Sequence, residues 1–278
     1  MINRFILEHS VLMKSESGRS PLNGKPIENA KRLLRKPPES LQQITMRSPE
    51  HIAAWAEYMI QENFGDISTP TSFIERRLMR CVMLHMMGQQ VSTWEHLPRY
   101  AIATIGSMLQ RDLTILLLEI HWEDWHKILS LTNGILENGD NHRWHIGVIG
   151  AAASATVAHT LMERPKALVL LPTPFEDVNL GIDLYWHEAE RYFCVSVKSR
   201  SEILGVQAEL IRWDPHLDSN REKILGGTRD ASEFFGTPFR AVLAEVGRQK
   251  LGESLPMLPD AKHWPEKILH DSAPGPSS

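Results

Sequence analysis

Three residues whose types suit phosphate chemistry lie in one short stretch, "GIDLYWHEAERYFCVSVKSR" at 181–200: Asp183, Ser196 and Lys198. A carboxylate holds a hard divalent cation. An ammonium group beside it meets a phosphate or positions a water that the cation acidifies. The alternation of side chains predicts a hairpin. Leu180, Ile182, Leu184 and Trp186 take one face, and Gly181, Asp183 and Tyr185 the other. On the second strand Phe193, Val195 and Val197 alternate with Cys194, Ser196 and Lys198. If "EAER" at 188–191 is a four-residue loop, His187 faces Tyr192. Asp183 then lies opposite Ser196 and Gly181 opposite Lys198, with opposed Cβ atoms roughly 5 Å apart. A shorter, two-residue loop pairs Asp183 with Cys194 instead.

A helix, a hairpin with Asp on its first strand, and a second strand ending x-x-Lys before a helix resembles the PD-(D/E)xK, or restriction-endonuclease-like, nuclease superfamily. The resemblance covers about 150–213. It implies an α/β fold with a restriction-endonuclease-like core of helix, mixed sheet with β-hairpin, and helix. It implies hydrolysis of DNA phosphodiester bonds with Mg²⁺, Asp183 as a metal ligand and Lys198 as the residue that orients water. Ser196 stands where the family usually carries Glu or Asp. In members with Ser-x-Lys the second carboxylate comes from the following helix, which makes Glu209 the candidate ligand ahead of Glu202. Glu163, at the end of the preceding helix, matches an upstream acid of some members, and Glu176 or Asp177 could serve as an outer acid.

The elements that must hold these residues are read from periodicity and punctuation. Residues 1–45 read as a flexible arm, basic because 1–36 holds eight Lys/Arg against three Asp/Glu. A helical region follows over 46–144. Ser48 caps its first helix, Pro49 and Glu50 suit the opening turn, and Ile52, Trp55, Ala56, Met59 and Ile60 line one face. A second helix spans 72–87, and two more cover 94–110 and 113–131, although "LTILLLEI" also suits a strand. The α/β core is expected over 145–250. There "HIGVIGAAASATVAHTLMER" reads as a short strand or turn and then a helix. "KALVLLP" reads as a buried strand, "SEILGVQAELIRW" as an amphipathic helix, "SNREKILGGTRD" as a loop and "PFRAVLAEVGRQKLG" as a closing helix. Residues 251–278 read as a tail, partly disordered.

Composition bounds the rest. The chain has 278 residues, net charge -4 and a pI near 6.4, so any DNA contact needs a local patch rather than the whole surface. Cys81 and Cys194 both sit in apolar runs, which suits buried thiols in a reducing, cytoplasmic setting. The start lacks the pattern of a secretory signal, and no apolar window reads as a membrane span. Two other readings compete. The nuclease fold could serve without catalysis as a scaffold or a nucleic-acid- or protein-binding module, with a homodimer or protein partner on the helical region. Alternatively, Gly147–Ser154 could form the phosphate-holding turn of a nucleotide-binding enzyme. His121, Glu123, Asp124 and His126, and separately His142 and His145, lack the third and fourth ligands of a zinc site. Arg221, Lys223 and Arg229 around Gly226 and Gly227 could touch phosphate, with a solvated loop as the plainer expectation.

Overall fold

The computed structural model describes residues 10–12, 20–22, 24–35, 48–64, 72–95, 97, 99–133, 135, 140–247 and 263–272. The chain divides into two units, Ser15–Ala152 and the pair Met1–Lys14 with Ala153–Ser278. Among the described residues the first is helical and the second is built on a mixed sheet.

The helical unit contains α1 (Lys25–Arg35), α2 (Pro49–Phe64), α3 (Phe73–Val91), α4 (Arg99–Glu119), α5 (Trp125–Leu129) and the first part of α6 (Asp140–Met162). Its helices begin where side chains accept the orphan amides. Ser48 Oγ takes the His51 N–H at 3.3 Å and Ser72 Oγ the Glu75 N–H at 3.1 Å. The core is aliphatic and Met-rich: Leu78, Val82, Met87, Leu113 and Leu117 are fully buried. Two buried indoles tie the loops down, Trp125 to the Leu117 carbonyl at 3.0 Å and Trp144 to that of Ile128 at 2.7 Å. The run "LTILLLEI" is the end of one long helix, not a strand, because its apolar residues continue the 3.6-residue repeat of the preceding turns. The basic arm is also corrected. Lys25–Arg35 is a helix with Ala30, Leu33 and Leu34 buried, and Ser10–Leu12 is a strand of the other unit. Residues 1–9, 13–19, 36–47 and most of the expected tail lie outside the described residues.

His85, on α3, is 3% exposed and packs edge-on against Trp144, with Gln89 Nε2 at 2.9 Å from its Nε2. Burial, helped by the nearby Arg143 charge, lowers its pKa to about 4. The folded chain therefore binds fewer protons here than the unfolded chain between pH 6.5 and 4, and stability falls as the pH drops through that window. The expected loss by pH 4 is about 3 kcal/mol. His85→Gln should flatten this part of the urea-midpoint-against-pH curve. An unchanged slope would show that the imidazole takes up its proton as readily in the fold as in the unfolded chain.

The sheet unit has six strands: β1 (Ser10–Leu12), β2 (Leu168–Leu171), β3 (Leu184–Glu188), β4 (Arg191–Arg200), β5 (Val206–Ile211) and β6 (Phe239–Gly247), in spatial order β1-β2-β3-β4-β6-β5. All neighbours are antiparallel except β4 and β6, which run parallel across the crossover helix α7 (Ser219–Phe235). A short helix, α8 (Trp264–Asp271), closes the described chain, and its Trp264 meets Trp186 edge-on at 5.8 Å. Three expectations fail here. "SEILGVQAELIRW" holds strand β5 at Val206–Ile211 and no helix, "SNREKILGGTRD" is the first turns of helix α7, and "PFRAVLAEVG" is strand β6 rather than a closing helix. β6 lies between β4 and β5 and is buried on both faces, so its sequence is an apolar run without alternation. α7 starts because Asp218 accepts the amides of Asn220 and Arg221. The sequence from Asp140 to Met162 is one helix, with no strand or turn at 145.

By length and composition α4 and α6 each contain a window apolar enough to cross a bilayer, yet more than half of each window is buried within the fold. Such burial is that of core helices.

Candidate functional site

The hairpin β3–β4 sets the site. Its observed pairs are Leu184 with Val195, Tyr185 with Cys194, His187 with Tyr192 and Glu188 with Arg191. This is the register that places Asp183 opposite Ser196. The loop has two residues rather than four, yet it keeps the register expected of the longer loop: Cys194 pairs with Tyr185, not with Asp183 as expected of a two-residue loop, because the turn at 189–190 is centred where the 188–191 loop would be. Ala189 and Glu190, with φ of 50° and 57°, form a left-handed turn that matches the strand twist. The N–H of Asp183 extends the ladder to the Val195 carbonyl at 2.9 Å.

Asp183, Ser196 and Lys198 therefore project from one face. Asp183 Oδ2 accepts the Val197 amide at 2.7 Å and the Ser196 hydroxyl at 3.2 Å, and Lys198 Nζ lies 3.9 Å from it. Among the described residues none donates to Oδ1. Burial pushes the Asp183 carboxyl above its ordinary value. The Lys198 charge, the Val197 amide, the Ser196 hydroxyl and the Lys223 charge pull against it. Ser196 is only 4% exposed, so it braces the carboxylate and offers solvent no nucleophile.

The turn before Asp183 is fixed by α7. Gly181 sits at φ 71°, a conformation that suits glycine, and a Cβ there would touch the aliphatic stem of Lys223 at 3.2 Å. Lys223 Nζ donates to the Val178 carbonyl at 3.0 Å. Gly227 packs so closely that a Cβ would come 2.3 Å from the Leu180 carbonyl oxygen, which explains one of the two glycines inside a helix. On the same side of the cluster, Glu176 accepts the Tyr185 hydroxyl at 2.6 Å and the Thr173 amide at 2.7 Å. Its carboxylate anchors the turn.

The expected acids fall in different places. Glu209 stands on strand β5, not on a helix. It pairs with Leu243, which pairs in turn with Ser196, so Glu209 shares their face across one intervening strand. That places its Cα roughly 10 Å from that of Ser196. Its carboxylate is bound by Arg221. Glu163 is not brought to Asp183. It lines a small recess with Glu188, the last residue of β3, roughly 16 Å of strand away from Asp183. Glu202 lies just beyond β4 and accepts the Ser201 hydroxyl at 2.6 Å. Sequence reasoning overlooked Glu245, which lies directly opposite Lys198 on β6 and is bound by Arg200 at 2.8 Å. Reading "FRAVLAEVG" as a strand would have found it.

Comparison with known protein families, curated proteins and solved structures finds no match.

Among the described residues no three His, Cys, Asp or Glu side chains form a metal-binding group. Asp124, in the "HWEDWH" run, is committed to the Leu22 amide at 2.7 Å and to Lys127. What Asp183 offers is one carboxylate oxygen. That suits a magnesium ion of which water and phosphate oxygens supply most of the shell. Gly147 and Gly150 lie inside α6, where Gly147 faces Leu109 and Leu113 side chains. They form no turn at a helix start, so the phosphate-holding turn expected at 147–154 is not formed.

Proposed function

We propose that this protein is a metal-dependent endonuclease of the PD-(D/E)xK type, hydrolysing DNA phosphodiester bonds at Asp183 and Lys198. One observation carries the reading: a buried carboxylate and a half-exposed ammonium meet on neighbouring strands of a hairpin, 3.9 Å apart. The order of elements supports it, with α6 ahead of the hairpin, Asp183 leading the first strand and Lys198 near the end of the second. Asp183 would hold Mg²⁺ through the oxygen turned away from Val197. When bound there, the ion would supply a water of lowered pKa and neutralise charge on the phosphate. Lys198 orients the attacking water or meets a phosphate oxygen, and Ser196 and the Val197 amide keep the carboxylate in place.

A second reading, a nuclease-like scaffold without catalysis, draws on the identity of residue 196 and on the commitment of Glu209 to Arg221. A plasmid-nicking assay with Mg²⁺ or Mn²⁺ separates the two. Cutting that stops with EDTA, and is lost in Lys198→Ala, supports the endonuclease. Equal cutting by that variant, or none by the parent protein, removes it.

A further inference from the structure

On the other flank of α7 from Gly227 lies an open cleft of about 1020 Å³, bounded by α7, the end of β5, residues 212–217 and the start of β6. It is ample for a nucleotide. Its floor is apolar, with Ile211, Leu217 and Leu225 packed around Ile224 and Leu243. Its rim carries Trp213, 77% exposed, and Arg212, Arg229 and Arg240. A large aromatic left in solvent on a short loop is costly in water and suited to stacking.

Two of the arginines meet backbone carbonyls rather than carboxylates among the described residues. Arg212 donates to the Asp271 carbonyl at 3.1 Å and Arg240 to that of Ser272, both neutral acceptors. Arg191 stands close behind, on the Leu269 carbonyl and the Ser272 hydroxyl. Burial and the Arg191 and Arg212 charges lower the pKa of Arg240, as expected where cations crowd without a carboxylate between them. Among the described residues Arg229 has one distant partner, Asp230 at 3.7 Å, and its side chain is 74% exposed. Two acids, Asp214 and Glu222, also line the cleft, so three cations face two anions.

We propose that this cleft binds a nucleotide unit, its base stacked on Trp213 and its phosphate held by Arg212 and Arg229. A flat indole beside guanidinium groups recognises an aromatic ring carrying an anion, and a base exposes its face only when it is unpaired. The ligand is therefore a single strand or a free nucleotide rather than a duplex. Binding here selects unpaired bases and needs neither Asp183 nor metal.

The test is the anisotropy of a labelled oligodeoxythymidine in EDTA at low salt, where cleavage cannot occur. Trp213→Ala should weaken binding by about 10-fold. Arg212→Ala and Arg229→Ala should each flatten the slope of log K against log salt by about 0.7. Trp213 is exposed, so an unchanged circular dichroism spectrum confirms that its variant folds. Thymidine monophosphate as competitor separates the sources. Displacement at equal molar affinity identifies a free nucleotide, and weak displacement a strand. No binding by the parent protein, binding indifferent to Trp213→Ala, or a preference for duplex overturns the inference. A protein that binds without cutting would keep this cleft and lose the nuclease reading, and one that cuts with Trp213→Ala unaltered in binding would do the reverse.

Discussion

Asp183→Asn is expected to lower metal-dependent nicking by about 100-fold or more while melting no lower than the parent at pH 7. The two halves have one cause. Burial raises the Asp183 pKa above its ordinary value, so the ionised form is disfavoured in the fold. A carboxyl with a raised folded pKa contributes stability that is present at acid pH and lost as pH rises through that pKa. At neutral pH its charge is a cost that the chain carries. Asn keeps the shape and still accepts the Val197 amide through its carbonyl oxygen, but it removes the charge a cation needs. Lys198 loses a partner at 3.9 Å, a minor matter for a side chain 38% exposed. Nicking rates under single turnover and melting temperatures across pH check both halves. A variant that cuts normally removes Asp183 from the site, and one that melts well below the parent makes the residue structural.

Asp112→Ala is expected to destabilise the helical unit by about 3–5 kcal/mol. Asp112, on α4, is 6% exposed and takes Arg77 on one oxygen and Arg80 on the other, both from α3. Arg80 reaches on to Glu57 of α2 with its remaining nitrogens, so one carboxylate joins the partners of three helices. Arg111 lies within the field of the same charges. Truncation would leave Arg77 and Arg80, each about three-quarters buried, with one carboxylate between them, and the cost is that of uncompensated buried charge. Asp112→Asn should cost less than Ala, because it keeps the volume and one acceptor. Urea unfolding followed by tryptophan fluorescence measures both, and an Ala variant within about 1 kcal/mol of the parent would show the network to be solvated in the manner of a surface ion pair.

How far the site was legible depended on which interactions were local. The face shared by Asp183, Ser196 and Lys198 followed from strand alternation and one register, and the register survived a wrong loop length because both loops are centred on the same bond. Glu209 was placed on a helix because "VQAELI" is short enough to satisfy either period, and only pairing with β6 makes it a strand. Glu245 was missed for the same reason. The run at 219–230 carries two adjacent glycines, a local argument against helix. Helix forms because Asp218 caps it and because Gly227 lets it approach the Leu180 backbone.

The sequence by itself determined what depends on near neighbours: the helical character of 48–64 and 72–91, the capped start at Ser48, and the β3–β4 hairpin with its two-sided pattern. Only the tertiary structure decided what depends on partners remote in the chain. The return of Ser10–Leu12 to the sheet, the strand identity of β5 and β6, the pairing of Glu209 with Arg221 and the cleft beside Trp213 are all of this kind. The physical reason is that a short strand is stabilised by hydrogen bonds and side chains supplied from elsewhere, so its own residues carry little of the information that fixes it.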